Sequence, residues 1–115
     1  MVDKLMEEAF RLYEEAELEI DIEISKSIEL FRQAVRNLLT SYLTIKGIEG
    51  EGDLVELYQE CSRIVPDFEI IQPEIEYLIE ADPEAVDGEE LIDKANEIWD
   101  FIQGLLMENE LELED

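Results

Sequence analysis

The chain has 115 residues, a length that suits one compact domain. It contains 33 acidic and 8 basic residues, which gives a formal net charge of −25. Solubility is the first interpretation of this acid excess, and a basic partner or a salty cytoplasm are the alternatives. Because such a surface repels nucleic acids and anionic membranes, neither is an expected partner. Hydrophobic residues make up 46% of the chain, which indicates a folded core and excludes a disordered chain.

The sequence is typical of a cytoplasmic protein. Its apolar runs are too short to span a membrane, and its start, MVDKLMEEAF, lacks the basic and apolar regions of a secretory signal. The single cysteine, Cys61, falls at helical spacing among Leu57, Tyr58 and Val65, so we expect a buried and unreactive thiol. A lone cysteine forms no internal disulfide, which agrees with a reducing compartment. No residue pattern predicts a cofactor.

The first predicted helix runs from about Asp3 to Glu19, with Asp3 as the cap of its first amides. Its apolar residues form two neighbouring rows that predict a core face. The rows are Leu5, Ala9, Leu12 and Ala16, and beside them Met6, Phe10 and Tyr13. The pattern breaks between Ile20 and Glu23, where a turn would let the next helix fold back. One continuous, bent helix is the alternative, because this stretch has no Gly or Pro.

The second predicted helix, from about Ile22 to Lys46, is the centre of the predicted fold. Its large apolar residues recur in alternating steps of four and three, so they share one stripe. These residues are Ile24, Ile28, Phe31, Val35, Leu38, Tyr42 and Ile45. Gly47 is predicted to end the helix, and the loop GIEGEG follows.

Three further helices are predicted after this loop. Asp53 and Glu56 have the spacing of a capping box at the start of the third helix, which ends before Pro66. One turn over residues 67–71 leads to a short fourth helix over residues 73–80, with Pro73 at its first position. Asp87 and Glu90 repeat the capping-box spacing before the fifth helix.

The fifth predicted helix runs from about Gly88 to Met107 and carries the aromatic residues Trp99 and Phe101. Core packing is the favoured interpretation of Trp99, Tyr42 and Tyr58, and a ligand cleft lined by these residues and Phe101 is the alternative. Phe101 lies off the main apolar row, and with Leu106 it is predicted to join an exposed patch and a dimer face. Residues 108–115 carry five acids and are predicted to be a frayed tail outside the domain of residues 1–107. No strand pattern is present, so the predicted fold is an all-α, up-and-down bundle of four to five helices.

The segments EEAFRLYEEAE and SKSIELFRQAVRNLLTSYLTIKGIEGEGDLVELYQEC, in this order, resemble the HEPN domain of prokaryotes. The second helix carries Phe31, Gln33, Ala34, Val35, Leu38 and Leu39 in the family pattern. Gly47-Ile48-Glu49 matches its loop, Asp53-Leu54 its third helix start, and NEIWDFIQGLL its last helix. The resemblance covers most of residues 5–106. It implies a small helical bundle, commonly a homodimer, that is often associated with a small nucleotidyltransferase.

Some HEPN domains are metal-independent ribonuclease toxins with an Arg-x(4–6)-His motif, but this chain contains no histidine. In the alignment that explains the whole length, Gly52 takes the place of the frequent His before Asp-Leu. A rival alignment places Arg36-Asn37-Leu38-Leu39 on the toxin motif and Ser41 in the position of the histidine. A serine hydroxyl does not titrate near neutral pH and cannot replace an imidazole. The sequence therefore predicts a module without the family's catalysis.

Half of the basic residues lie on the second helix. Lys26, Arg32, Arg36 and Lys46, together with Asn37, are the candidate residues for binding an anion or a partner. The competing interpretation is that these bases neutralise the acidic neighbouring helices, through exposed ion pairs worth about 0–1 kcal/mol each.

Paired carboxylates suggest a weaker alternative. Glu97 and Asp100, like Glu14 and Glu17, are spaced to share one helix face, as carboxylates around Mg²⁺ do. The predicted function is thus a HEPN-like binding or regulatory module without catalysis. It forms a homodimer or pairs with a basic protein such as a nucleotidyltransferase, as in a toxin–antitoxin pair. The alternatives are a Mg²⁺-dependent nucleotide hydrolase and a residual ribonuclease.

Overall fold

The computed structural model describes the backbone of residues 2–114 and the side chains of residues 4–107. Within those residues the chain forms five α-helices, a 3₁₀ segment and no strand. The helices are α1 (Val2–Glu19), α2 (Ile24–Ile45), α3 (Leu54–Ile64), α4 (Gln72–Glu80) and α5 (Gly88–Glu114), and the 3₁₀ segment (Pro66–Ile71) lies between α3 and α4. The predicted all-α bundle is therefore confirmed. None of the described helices is long and apolar enough to cross a membrane.

Helix α2 is the centre of the bundle, as its apolar stripe predicts. It packs against α1, α3, α4 and α5, and Phe31, Val35 and Leu38 on its stripe are fully buried. The chain turns between α1 and α2, where the amide of Glu23 donates to the carbonyl oxygen of Glu19 at 2.7 Å. The buried Ser27 hydroxyl donates across the hairpin to the carbonyl oxygen of Ala16 at 2.7 Å. The predicted turn is confirmed, and the alternative of one bent helix is wrong.

The glycine-containing end of α2 and the start of α3 have the predicted caps. Gly47 has φ +79°, and the amides of Gly47 and Ile48 donate to the carbonyl oxygens of Thr44 and Leu43 at 3.0 and 2.9 Å. This pair of hydrogen bonds is a Schellman motif, which requires a left-handed residue and favours glycine. At α3 the Asp53 carboxylate accepts from the Glu56 amide at 2.9 Å, and the Glu56 carboxylate accepts from the Asp53 amide.

Helix α5 differs from the prediction at both ends. At its start, the Asp87 carboxylate accepts from the amide of Glu89 at 2.9 Å, not from that of Glu90, so the predicted capping box is wrong in its partner. At its end, the helix continues to Glu114 and does not stop near Met107, because residues 108–114 contain no Gly or Pro to end it. The predicted Asp3 cap depends on a side chain outside the described ones. The predicted fraying of residues 108–115 stays a prediction.

Two predictions about which apolar side chains are exposed are corrected. Phe10, placed on a core row by its spacing, is 55% exposed, because it lies at the edge of the face formed by Ala9, Leu12 and Ala16. Leu106 is buried in the core, and Phe101 packs edge-on against Phe68 of the 3₁₀ segment at a centroid distance of 5.3 Å. The predicted exposed patch of Phe101 and Leu106 is therefore wrong, since Leu106 belongs to the core and Phe101 packs against it.

Candidate functional site

The basic residues of α2 do not converge on one site. Lys26 and Lys46 stand near opposite ends of the helix, about 30 Å apart along its axis at 1.5 Å per residue. The Lys26 Nζ lies 3.5 Å from a carboxylate oxygen of Glu19, whereas the Lys46 Nζ lies 5.6 Å from the ring centroid of Tyr42. Each of these two ammonium groups thus has its own local contact.

Arg32 holds the C-terminal end of α4 against α2. Its Nε donates to the carbonyl oxygen of Leu78 at 3.0 Å, and its Nη2 donates to those of Ile79 and Ala81 at 2.9 and 3.3 Å. The last carbonyls of a helix have no partner inside the helix and form the negative end of its dipole. A guanidinium is well matched to this position, so the contacts of Arg32 join two elements of the fold.

Arg36 and Asn37 are the two candidate residues that the structure does bring together. They line a cleft of about 400 Å³ between α1 and α2, together with Leu5, Glu8, Leu12, Gln33 and Thr40. The Nη2 of Arg36 donates to the carbonyl oxygen of Gly52 at 3.1 Å and so tethers the loop that precedes α3. The cleft combines one guanidinium with the carboxylate of Glu8, which itself pairs with Arg11.

Ser41, at the position that the rival alignment gives to the toxin histidine, is part of the core. Its side chain is fully buried, and its hydroxyl donates to the carbonyl oxygen of Asn37 at 2.8 Å, one turn earlier in α2. Serine commonly makes this bond inside a helix. Arg36 is exposed on α2, so the two residues of the rival motif have different environments.

Cys61 is the buried thiol that the sequence predicts. It is fully buried in α3, and its Sγ lies 3.9 Å from the carbonyl oxygen of Leu39. Burial, together with the nearby charge of Glu60, raises the pKa of the thiol to about 12. The reactive thiolate is therefore almost absent at neutral pH.

The carboxylates of the alternative metal site face different neighbours. Interaction with the neighbouring Glu74 carboxyl group, together with partial desolvation, raises the pKa of Glu97 above its ordinary value. The charge of Asp100 instead affects the pKa of Tyr13. Burial raises this pKa most, and the charges of Asp100 and Glu17 raise it further. In the described part of the chain, no three Asp, Glu, Cys or His side chains are grouped so that they could hold a metal ion. The metal site at Glu97 and Asp100 stays a prediction.

A second cleft, of about 470 Å³, lies between α3, the 3₁₀ segment and α4, and the sequence did not indicate it. Its lining is mixed: Gln59, Ser62 and Gln72 are polar and uncharged, and apolar and charged side chains complete it. The other lining residues are Val55, Tyr58, Arg63, Glu69, Ile75, Glu76 and Ile79. The Tyr58 hydroxyl donates to the carbonyl oxygen of Phe68 at 2.7 Å and fixes the 3₁₀ segment at one edge. The cleft depends on how three elements meet, which local periodicity does not report.

Aromatic side chains form a third surface, between α1 and α5, that the sequence also did not indicate. The Tyr13 hydroxyl donates to the carbonyl oxygen of Ala95 at 2.6 Å, and the Tyr13 and Trp99 rings meet edge-on at a centroid distance of 4.8 Å. Phe10 lies 6.1 Å from Trp99, and the Trp99 indole donates to Gln103 at 2.9 Å. We call the surface formed by Phe10, Tyr13, Trp99 and Gln103 the α1–α5 seam.

Comparison of the chain with protein families, with curated proteins and with solved structures finds no match in any of the three. The resemblance of the sequence to HEPN domains stays a prediction.

Proposed function

We propose that this chain is a HEPN-like binding or regulatory module without catalysis, located in the cytoplasm. It acts as a homodimer or pairs with a more basic protein, such as a small nucleotidyltransferase, in a toxin–antitoxin-like pair. The observation that carries the proposal is the net charge of −25 on a folded helical bundle. A surface of one sign attracts a partner of the opposite sign and steers its approach.

Contacts of the basic residues strengthen this argument. Arg11 pairs with Glu8 and Glu15, and Arg63 pairs with Glu60. Arg32 is bound to the end of α4. Each of these bases lies beside carboxylates or carbonyl oxygens of the same chain, and with 33 acids against 8 bases the acidic groups dominate what a partner meets.

Two side chains support the absence of catalysis. The Ser41 hydroxyl is buried and hydrogen-bonded within its own helix, and the chain contains no histidine to transfer a proton. The raised pKa of the buried Cys61 thiol does not suit a nucleophile. Neither side chain offers the proton transfer at neutral pH that the alternative of a ribonuclease would need.

The proposal is tested by purifying the tagged chain from its own cells, identifying bound proteins and reconstituting each complex from purified components. We expect a basic protein to bind with a defined stoichiometry and with an affinity that falls as salt rises. A chain that stays monomeric at high concentration and retains no basic protein would contradict the proposal. RNA cleavage that is present in the wild type and abolished in Arg36→Ala would overturn the non-catalytic part.

A further inference from the structure

We infer that the α1–α5 seam is a docking surface for a basic segment of a partner protein, one that carries Lys or Arg beside an apolar anchor residue. The inference rests on the proposed function, a module that binds a basic protein. It adds the place of binding and the chemistry of the bound segment. Three features of the seam carry it: an exposed aromatic side chain, a rim of carboxylates, and basic residues directed elsewhere.

The aromatic part of the seam is both open and held in place. Phe10 is 55% exposed although it packs against the Trp99 ring. Tyr13 below it is fixed by its hydrogen bond to Ala95, and the Trp99 indole is fixed by Gln103. An exposed aromatic residue on ordered neighbours binds an apolar anchor with little loss of side-chain freedom.

Carboxylates surround this aromatic part. Glu14 and Glu17 follow Phe10 by four and seven residues, so they share its edge of α1, and both are exposed. Asp100, next to Trp99, is exposed on α5. The charges of Asp100 and Glu17 both raise the pKa of Tyr13, after the larger effect of burial, which places the two carboxylates near the same ring.

The basic residues of α1 and α5 lie away from the seam. Arg11 pairs with Glu8 and Glu15 on another edge of α1, and Lys4 belongs to the same row by its spacing. The charge of Lys94 on α5 lowers the pKa of Glu97, and the pKa of Glu97 also responds to Glu74 of α4. Among the described side chains of these two helices, the seam thus has carboxylates and no base of its own.

The carboxylates of the seam favour a basic segment over a second copy of the chain as the bound molecule. A second copy would meet the seam with the same surface in a twofold dimer, and its carboxylates would face those of the first copy. A segment with Lys or Arg would instead pair with Glu14, Glu17 and Asp100, and its cations would also be attracted to the faces of Phe10 and Trp99. The basic segment is therefore the occupant that the seam fits.

Trp99 is the single tryptophan of the chain, so its fluorescence reports on the seam directly. The probe is a tryptophan-free synthetic amphipathic peptide of leucine and lysine. One control peptide has glutamate in place of lysine, and another has glycine in place of leucine at unchanged charge. We expect the leucine–lysine peptide to shift the Trp99 emission in a saturable manner and the glutamate peptide to have no effect. The glycine–lysine peptide should bind about tenfold more weakly, because it lacks the apolar anchors.

Matched variants locate the binding. Phe10→Ala removes the exposed ring, and the double change Glu14→Gln with Glu17→Gln removes two charges of the rim. The control, Glu49→Gln with Glu51→Gln, removes the same charge from the loop between α2 and α3. We expect each seam variant to weaken binding about tenfold and the control to change it less than twofold. Circular dichroism verifies the fold of each variant, and the double variant tests the seam even if Phe10→Ala does not fold.

Three results would overturn the inference. Equal weakening in the control variant would show that the peptide responds to total charge, and an unchanged Trp99 emission during binding would place the peptide elsewhere. Both results leave the proposed function standing, since a basic ligand still binds. A wild-type dimer in sedimentation that Phe10→Ala dissociates would show a self-association face. Failure of the proposed function is distinct: the chain stays monomeric at high concentration, and neither the peptide nor any basic protein binds to any part of it.

Discussion

Arg32 is the basic residue of α2 whose removal we expect to cost the most stability. Its side chain is 30% exposed and makes three hydrogen bonds to carbonyl oxygens at the end of α4. Hydrogen bonds from a charged donor contribute more than neutral ones, so we expect Arg32→Ala to lower the free energy of unfolding by about 2 kcal/mol. Urea denaturation followed by circular dichroism measures this loss.

Arg63→Ala is the matched control. The Arg63 side chain is 73% exposed and pairs with Glu60 within α3, so its removal should change stability by less than about 0.5 kcal/mol. Arg32→Lys should recover only part of the lost stability, because one ammonium cannot reach three carbonyls as a planar guanidinium does. Similar losses in Arg32→Ala and Arg63→Ala would show that the contacts with α4 are not what stabilises the fold.

The raised pKa of Glu97 predicts that the stability of the fold depends on pH. This pKa is raised in the folded state, chiefly by the neighbouring Glu74 carboxyl group, while the charge of Lys94 lowers it. A raised pKa means that the folded state binds the proton more tightly than the unfolded state does. The resulting stabilisation is present at pH values below the unfolded pKa and is lost as the pH rises through the folded pKa.

Replacing Glu97 by Gln removes this titration. We expect the melting temperature of Glu97→Gln to exceed that of the wild type at pH 7, and the gain to disappear near pH 4, where the wild type is itself protonated. Glu84→Gln removes one negative charge from the exposed loop before α5 and measures the general effect of charge removal. The idea fails if both variants gain equally at pH 7, because the pair with Glu74 would then add nothing specific.

At the scale of the elements, the sequence predicts helices well where one residue determines a boundary. Asp53, Gly47 and Pro66 act through their own backbone or side-chain chemistry, and the structure ends or starts helices beside each of them. The end of α5 has no such residue, and there the prediction stops too early. Local chemistry sets most boundaries, and where no breaker is present the helix simply continues.

The site could be predicted only in part, because it depends on how helices are rotated against one another. The spacing of Phe10 places it near the core row of α1, and a small rotation decides whether it is covered or left open beside Trp99. Arg32 looked like a surface base, since nothing in α2 shows that the end of α4 lies 46 to 49 residues away within reach. Periodicity identifies the faces of a helix, but it does not identify what each face meets.

Replacing each of two glycines by alanine should change stability in opposite directions, because one glycine ends a helix and the other lies inside one. Gly47 has φ +79° at the end of α2, whereas Gly104 lies inside α5, and a Cβ added at either position meets no atom within 4 Å. Gly47→Ala should lower the free energy of unfolding by about 1 kcal/mol, because an L residue is strained in the left-handed region. Gly104→Ala should raise it by about 0.5–1 kcal/mol, because alanine loses less freedom in a helix. Chemical denaturation of both variants measures these effects, and a loss of stability in both would contradict the assigned conformations.

At the scale of the whole molecule, apolar contacts build the bundle and the charge governs what the bundle meets. The core extends through all five helices and the 3₁₀ segment, with α2 in contact with four of the helices. Acidic side chains outnumber bases about fourfold, by the ratio of 33 to 8, and several of the bases are held by contacts within the chain. Fold and charge are thus separable, and many carboxylates can change while the core does not.

That separation predicts opposite salt dependences for the two assemblies of the proposed function. In a homodimer two chains of charge −25 repel each other, so screening should favour the dimer, and its dissociation constant should fall between 20 and 300 mM NaCl. A complex with a basic partner is held by attraction, so its dissociation constant should rise over the same range. Sedimentation equilibrium of the chain alone and with the reconstituted partner measures both. A homodimer that weakens as salt is added would show that its interface is built from attractive ion pairs, and the net charge of the chain would then not govern its self-association.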